Sequence, residues 1–83
     1  MKTEIFEKVR AVFAEAADVD VEDITPESVI MEELDITSME MMVAISALEK
    51  EFSIRIPEKK LRYFETIEDV ADYIFEQKSA AGN

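Results

Sequence analysis

The segment Leu34-Asp35-Ile36-Thr37-Ser38-Met39-Glu40 holds the residues with the clearest chemical potential in the chain. Thr37 and Glu40 stand three apart, the spacing of a capping box, in which the Thr hydroxyl accepts from the third N–H of the helix and the Glu carboxylate reaches back to the cap. This makes Thr37 an N-cap and puts Ser38 at the first helical position. The Ser38 hydroxyl then lies beside backbone N–H groups that have no acceptor within the helix, at the positive end of the helix dipole. A phosphodiester on Ser38 would face those N–H groups, as phosphates do at other helix N-termini. Ser and Thr also gather at helix starts for capping alone, so position by itself does not single Ser38 out.

The same helix carries a second feature. Met41, Ala44, Ile45, Leu48 and Phe52 recur at core spacing, while Met39, Met42 and Val43, with the small Ser46 a turn on, make a separate outer stripe. A helix apolar on two sides must bury both or display one. If displayed, the stripe is a Met-rich docking surface that adapts to several partners. Acids at Glu32, Glu33, Asp35, Glu40 and Glu49 are expected to rim it and to steer encounter with basic partners.

Other chemistry is poorly supported. With no His and no Cys among 83 residues, the chain has no imidazole base, no thiolate and no zinc site built on those ligands. Ser38 therefore has no neighbour to activate it as a catalytic nucleophile. Asp18-Val19-Asp20-Val21-Glu22 opens like a calcium loop, but the sixth position is Asp23 where an EF-hand needs Gly, and the twelfth is Val29 where a bidentate Glu belongs. No metal ligand and no catalytic residue is assigned; the chain is not expected to be an enzyme.

A net charge of −11 repels nucleic-acid phosphates and anionic membrane surfaces. The charge is unevenly spread: residues 11–49 carry eleven acids and no base, residues 50–62 five bases and two acids. Charges interrupt the N-terminal residues, and no apolar run reaches the roughly 18 to 20 residues that span a bilayer, so no nucleic acid and no membrane insertion is expected, and a cytoplasmic setting is.

The elements that must position Ser38 follow from periodicity. Ile5, Val9, Val12, Phe13 and Ala16 predict a first amphipathic helix over residues 3–17. The period is lost over residues 18–35, where Val19, Val21, Ile24, Val29, Ile30, Met31 and Leu34 suggest a long ordered loop with apolar anchors. Within it Thr25-Pro26 has the form of a helix start, with Thr as N-cap and Pro in the first helical position, and one short turn is expected to begin there. The second helix runs from its cap at Thr37 to about Phe52. Ile54-Arg55-Ile56-Pro57 is extended, a short helix follows over residues 58–63, and Thr66 with Asp69 caps a last helix whose buried face is Ile67, Val70, Ala71 and Ile74. The fold class is all-α: a small antiparallel four-helix bundle with three main helices, one short helix and a long first loop. The domain spans residues 1–78, with 79–83 a flexible C-terminal tail; a monomer is expected.

These residues resemble the acyl carrier protein family over about residues 3–76. Its signature Leu-Gly-x-Asp-Ser-Leu/Met stands here as Leu34-Asp35-Ile36-Thr37-Ser38-Met39. Glu49-Lys50-Glu51-Phe52 with Ile56-Pro57, and Thr66-Ile67-Glu68-Asp69-Val70-Ala71-Asp72-Tyr73-Ile74, continue the likeness. The resemblance implies a carrier with 4′-phosphopantetheine from coenzyme A on Ser38, beside the Thr37 cap, holding acyl groups as thioesters in fatty-acid, polyketide or related biosynthesis. Its implied partners are a phosphopantetheinyl transferase and acyl-transferring or acyl-modifying enzymes with basic docking surfaces, meeting Met39, Glu40, Met42, Val43, Ser46 and Glu49. Asp35 replaces the family's Gly and Thr37 the Asp before the modified Ser. With Val43 and Ser46 on the outer face and a basic Lys59-Lys60-Leu61-Arg62 segment, the departures point to a specialised carrier. The alternative is an unmodified acidic helical protein-interaction module on the same fold.

Overall fold

Apolar residues at helical spacing, separated by charge, build each long element. The computed structural model describes the backbone of residues 2–82 and the side-chain surroundings of residues 2–79. Helix α1 spans Lys2–Ala17, α2 Ser38–Phe52 and α3 Ile67–Gly82, with two 3-10 segments at Val21–Asp23 and Glu58–Tyr63. The all-α expectation and the short fourth helix over residues 58–63 are borne out. The helical backbone of α3 continues past Ser79, where the sequence places the start of a tail, to Gly82; Asn83 lies outside the described residues.

One core unites the elements. Ile5, Val9 and Phe13 of α1 meet Met41, Ala44, Ile45 and Leu48 of α2 and Ile67, Val70, Ala71 and Ile74 of α3, all buried. Helix α1 packs against both partners. The sequence stripes therefore face inward as predicted, with Phe52 half-buried at the margin.

The long first connection is ordered, but by fewer anchors than expected. Ile24, Ile30, Leu34 and Ile36 are buried, whereas Val19, Val21 and Met31 are exposed and Val29 is half-buried. Arg10 compensates near the start of the loop: its Nε donates to the Val21 carbonyl at 2.8 Å.

The short turn expected at Thr25-Pro26 is present, without Thr25 as its cap and without continuing into a helix. A single turn forms there, in which the Ser28 N–H donates to the Thr25 carbonyl at 3.0 Å. The side-chain bond runs opposite to a Thr cap, with the Thr25 N–H donating to Ser28 Oγ at 2.9 Å. The reason is tertiary. A continuing helix needs the Pro26 and Ser28 carbonyls for N–H groups four residues on, but these carbonyls accept instead from Glu68 N–H at 3.0 Å and Ile67 N–H at 3.2 Å. The adjoining Ile30 N–H donates to Glu65 O at 2.9 Å. An isolated antiparallel bridge joins Val29 to Thr66.

Three residues with side chains sit in the left-handed region usually taken by glycine: Asp18 at φ 60°, Asp35 at φ 54° and Ser53 at φ 54°. Asp18 ends α1 in a Schellman arrangement, with Val19 N–H donating to Ala14 O at 3.0 Å and Asp18 N–H to Glu15 O at 3.3 Å. Ser53 ends α2 likewise, its own N–H and that of Ile54 both directed at Glu49 O. Asp tolerates this conformation better than most residues with a Cβ, which explains how Asp35 stands where the resembled family has Gly.

Candidate functional site

The first turn of α2 is set from both sides. The Thr37 N–H donates to Glu40 Oε1 at 2.9 Å and the Glu40 N–H to Thr37 Oγ1 at 3.1 Å, completing the predicted capping box. Met41 N–H closes on the Thr37 carbonyl at 2.8 Å. Buried Leu34 and Ile36 hold the approach to the helix, and between them the left-handed Asp35 turns the chain. Ser38 and Thr37 remain exposed.

The first two N–H groups of the helix have no acceptor. Among the described residues, neither Ser38 N–H nor Met39 N–H donates to a carbonyl or side chain. An exposed hydroxyl thus shares a turn with two free donors and the positive end of a 15-residue helix. A phosphodiester on Ser38 fits this turn: its anionic oxygens would take the two donors that the protein leaves unused.

The outer stripe of α2 is displayed. Met39 is 75% exposed, Met42 51% and Val43 63%, against 5% for Met41 and 0% for Leu48 on the inner face. With Ser46 they line an open groove, which Ala47 and Lys50 complete. Ala47 and Lys50 continue the same helical period, so the signal for them was present in the spacing.

Three acids expected on the rim have other tasks. Glu40 belongs to the capping box. Glu49 Oε2 accepts from Ile56 N–H at 2.6 Å, tying α2 to the extended segment after it. Glu33 similarly accepts from Val29 N–H at 2.6 Å. Neutralising these acids therefore loosens backbone contacts as well as changing the charge of the rim.

A second recess, of about 300 Å³, adjoins Ser38. Met31, Met41, Met42, Leu61 and Phe64 give it apolar walls, and Glu58 and Arg62 line it too. No sequence period indicates this grouping, because its residues come from the first loop, α2 and the 3-10 segment. Among the described residues no cluster of three or more potential metal ligands occurs and no helix is long and apolar enough to cross a membrane.

Comparison with known proteins gives a consistent result. Residues 7–74 match the family model described as a phosphopantetheine attachment site. An acyl carrier protein of Thermosynechococcus vestitus is 38% identical over 73 residues, covering 88% of this chain and 90% of the relative. An acyl carrier protein of Helicobacter hepaticus is 39% identical over 69 residues, covering 83% and 91%. One of Helicobacter pylori is 36% identical over 76 residues, covering 92% and 97%.

Proposed function

The chain belongs to the acyl carrier protein family, and from that premise we propose that Ser38 is the residue to which its 4′-phosphopantetheine is joined. Family membership makes the protein a carrier and not an enzyme, with phosphopantetheinyl transferases and enzymes acting on acyl groups as its general partners. When attached, the group supplies the thiol that this chain lacks, and acyl groups are carried on it as thioesters in lipid and fatty-acid biosynthesis.

What supports Ser38 is the unfinished first turn of α2. The hydroxyl is exposed and its backbone is fixed by the Thr37–Glu40 box. The Ser38 and Met39 N–H groups are free to hold phosphate oxygens. The other serines offer less: Ser28 is buried and bonded to Thr25, Ser46 lies mid-helix, Ser53 follows the C-terminus of α2, and Ser79 stands toward the C-terminal end of α3, away from any helix N-terminus. The chain has no imidazole or thiolate, so removal of the Ser38 Oγ proton is left to the transferase.

The reading extends to the partner face and to specialisation. Met39, Met42, Val43 and Ser46 form the docking stripe, with Glu40 and Glu49 beside it. Thr37 in place of the family's Asp, exposed Val43 and Ser46, and the basic residues Lys59, Lys60 and Arg62 support a specialised carrier. Val43→Glu is expected to leave melting within about 0.5 kcal/mol of wild type, as for an exposed site, while slowing acyl transfer by a cognate enzyme.

The direct test is intact mass after incubation with coenzyme A and a broad-specificity phosphopantetheinyl transferase. Wild type should gain one phosphopantetheine and Ser38→Ala none. No gain by wild type would leave the unmodified interaction module as the better reading, and an adduct that survives in Ser38→Ala, or maps to Ser28, Ser46 or Ser53, would overturn the assignment.

A further inference from the structure

Residues 11–49 contain no Lys or Arg, and the one cation of α2, Lys50, stands in its last turn at the opposite end of the helix from Ser38. The fold supplies one from elsewhere. Arg62, on the 3-10 segment Glu58–Tyr63, lines the recess that Ser38 also lines. Among the described residues the ion pairs are Lys2–Asp72, Lys8–Glu51 and Arg10–Glu7, so no carboxylate lies within 4.0 Å of the Arg62 guanidinium. Acids are nevertheless near: Glu58 lines the same recess, and Glu32 and Glu65 line an adjoining one with Arg62. Lys59 and Lys60 share the 3-10 segment but line neither recess.

We propose that Arg62 is a positioning residue for the phosphodiester on Ser38, a third donor group beside the Ser38 and Met39 N–H groups. The inference rests on the assignment of Ser38 made above. Guanidinium is suited to the task by its planar fork of donors, which matches phosphate oxygens in pairs, and by its weak hydration, which lets it lie along apolar walls such as Met31, Leu61 and Phe64. An anion fixed at Ser38 gives the guanidinium a partner that it lacks in the unmodified chain. It also biases the arm toward the recess and away from the exposed stripe of α2.

The test uses the full chain labelled with ¹⁵N, before and after loading with phosphopantetheine and with no acyl group attached. Loading should shift the Arg62 Nε–H resonance and slow its exchange with water by roughly 1.4- to 5-fold, the scale of an exposed ion pair. Both changes should vanish near about 1 M salt, where the Debye length is about 3 Å. The ³¹P resonance of the phosphodiester should move in Arg62→Gln and stay in Lys60→Gln, which loses the same charge outside the recess. An unchanged Arg62 Nε–H on loading, or equal ³¹P movement in the two variants, would overturn the proposal. So would a response that appears only with a carboxylated acyl group such as malonyl, because Arg62 would then read the cargo. A chain with no adduct at Ser38 ends both readings; a loaded Ser38 with a silent Arg62 ends this one alone.

Discussion

Helices α2 and α3 begin with the same device and finish it differently. Each has a Thr cap paired with an acid three residues on: Thr37 with Glu40, and Thr66 with Asp69, whose N–H donates to Thr66 Oγ1 at 3.2 Å while its Oδ2 accepts from Thr66 N–H at 3.1 Å. In α3 the first two helical residues, Ile67 and Glu68, donate to the Ser28 and Pro26 carbonyls of the docked loop. In α2 the equivalent Ser38 and Met39 donors meet no protein acceptor among the described residues. The residue after the cap matches its setting, a fully buried Ile67 in one helix and an exposed Ser38 in the other. A capping box therefore says where a helix starts and nothing about whether the start is used for packing or left for a ligand.

The largest expected effect separates the two residues that follow the caps. Ile67→Ala should destabilise the domain by about 2 to 5 kcal/mol through the cavity left in the core, whereas Ser38→Ala should stay within about 0.5 kcal/mol of wild type although it abolishes modification. Thermal or urea melts of the two variants measure this. Comparable losses would mean that Ser38 is structural and that the contrast between the helix ends is false.

The caps themselves should behave alike. Thr37→Ala and Thr66→Ala should each cost about 0.5 to 2 kcal/mol, and Thr37→Asp should restore most of that loss because Asp also caps. If Thr37→Asp melts as low as Thr37→Ala, the hydroxyl is not acting as the cap.

A smaller effect probes the open end. Ser38→Asp puts a negative charge beside the free N–H groups and should raise stability by about 0.3 to 1 kcal/mol at low ionic strength. The gain should fade as salt is added. Denaturant melts at two salt concentrations would show it, and a loss of stability at low salt would argue against a receptive helix terminus.

The two caps were legible because their partners lie three residues apart, within reach of any sequence reading. At Thr25-Pro26 the local signal gave the short turn, and what it could not show is why the turn stops there: α3 takes the Pro26 and Ser28 carbonyls that a longer helix would need. Glu49 read as a surface acid because the N–H it holds, on Ile56, is seven residues away across the end of a helix. The outer stripe could be read from its period but not its exposure, which depends on what the rest of the chain covers. The recess beside Ser38 left no trace, since Met31, Leu61, Arg62 and Phe64 become neighbours of that residue only through the fold.

The central claim is that the unfinished turn at Ser38 receives the phosphodiester, and backbone amide NMR of the unmodified and loaded chain tests it most directly. On loading, the Ser38 and Met39 amide protons should move downfield and exchange more slowly, while those of Ile67 and Glu68, already bonded to Ser28 and Pro26, should stay in place. Unmoved Ser38 and Met39 amides in a chain verified as loaded, or equal movement at Ile67 and Glu68, would contradict it.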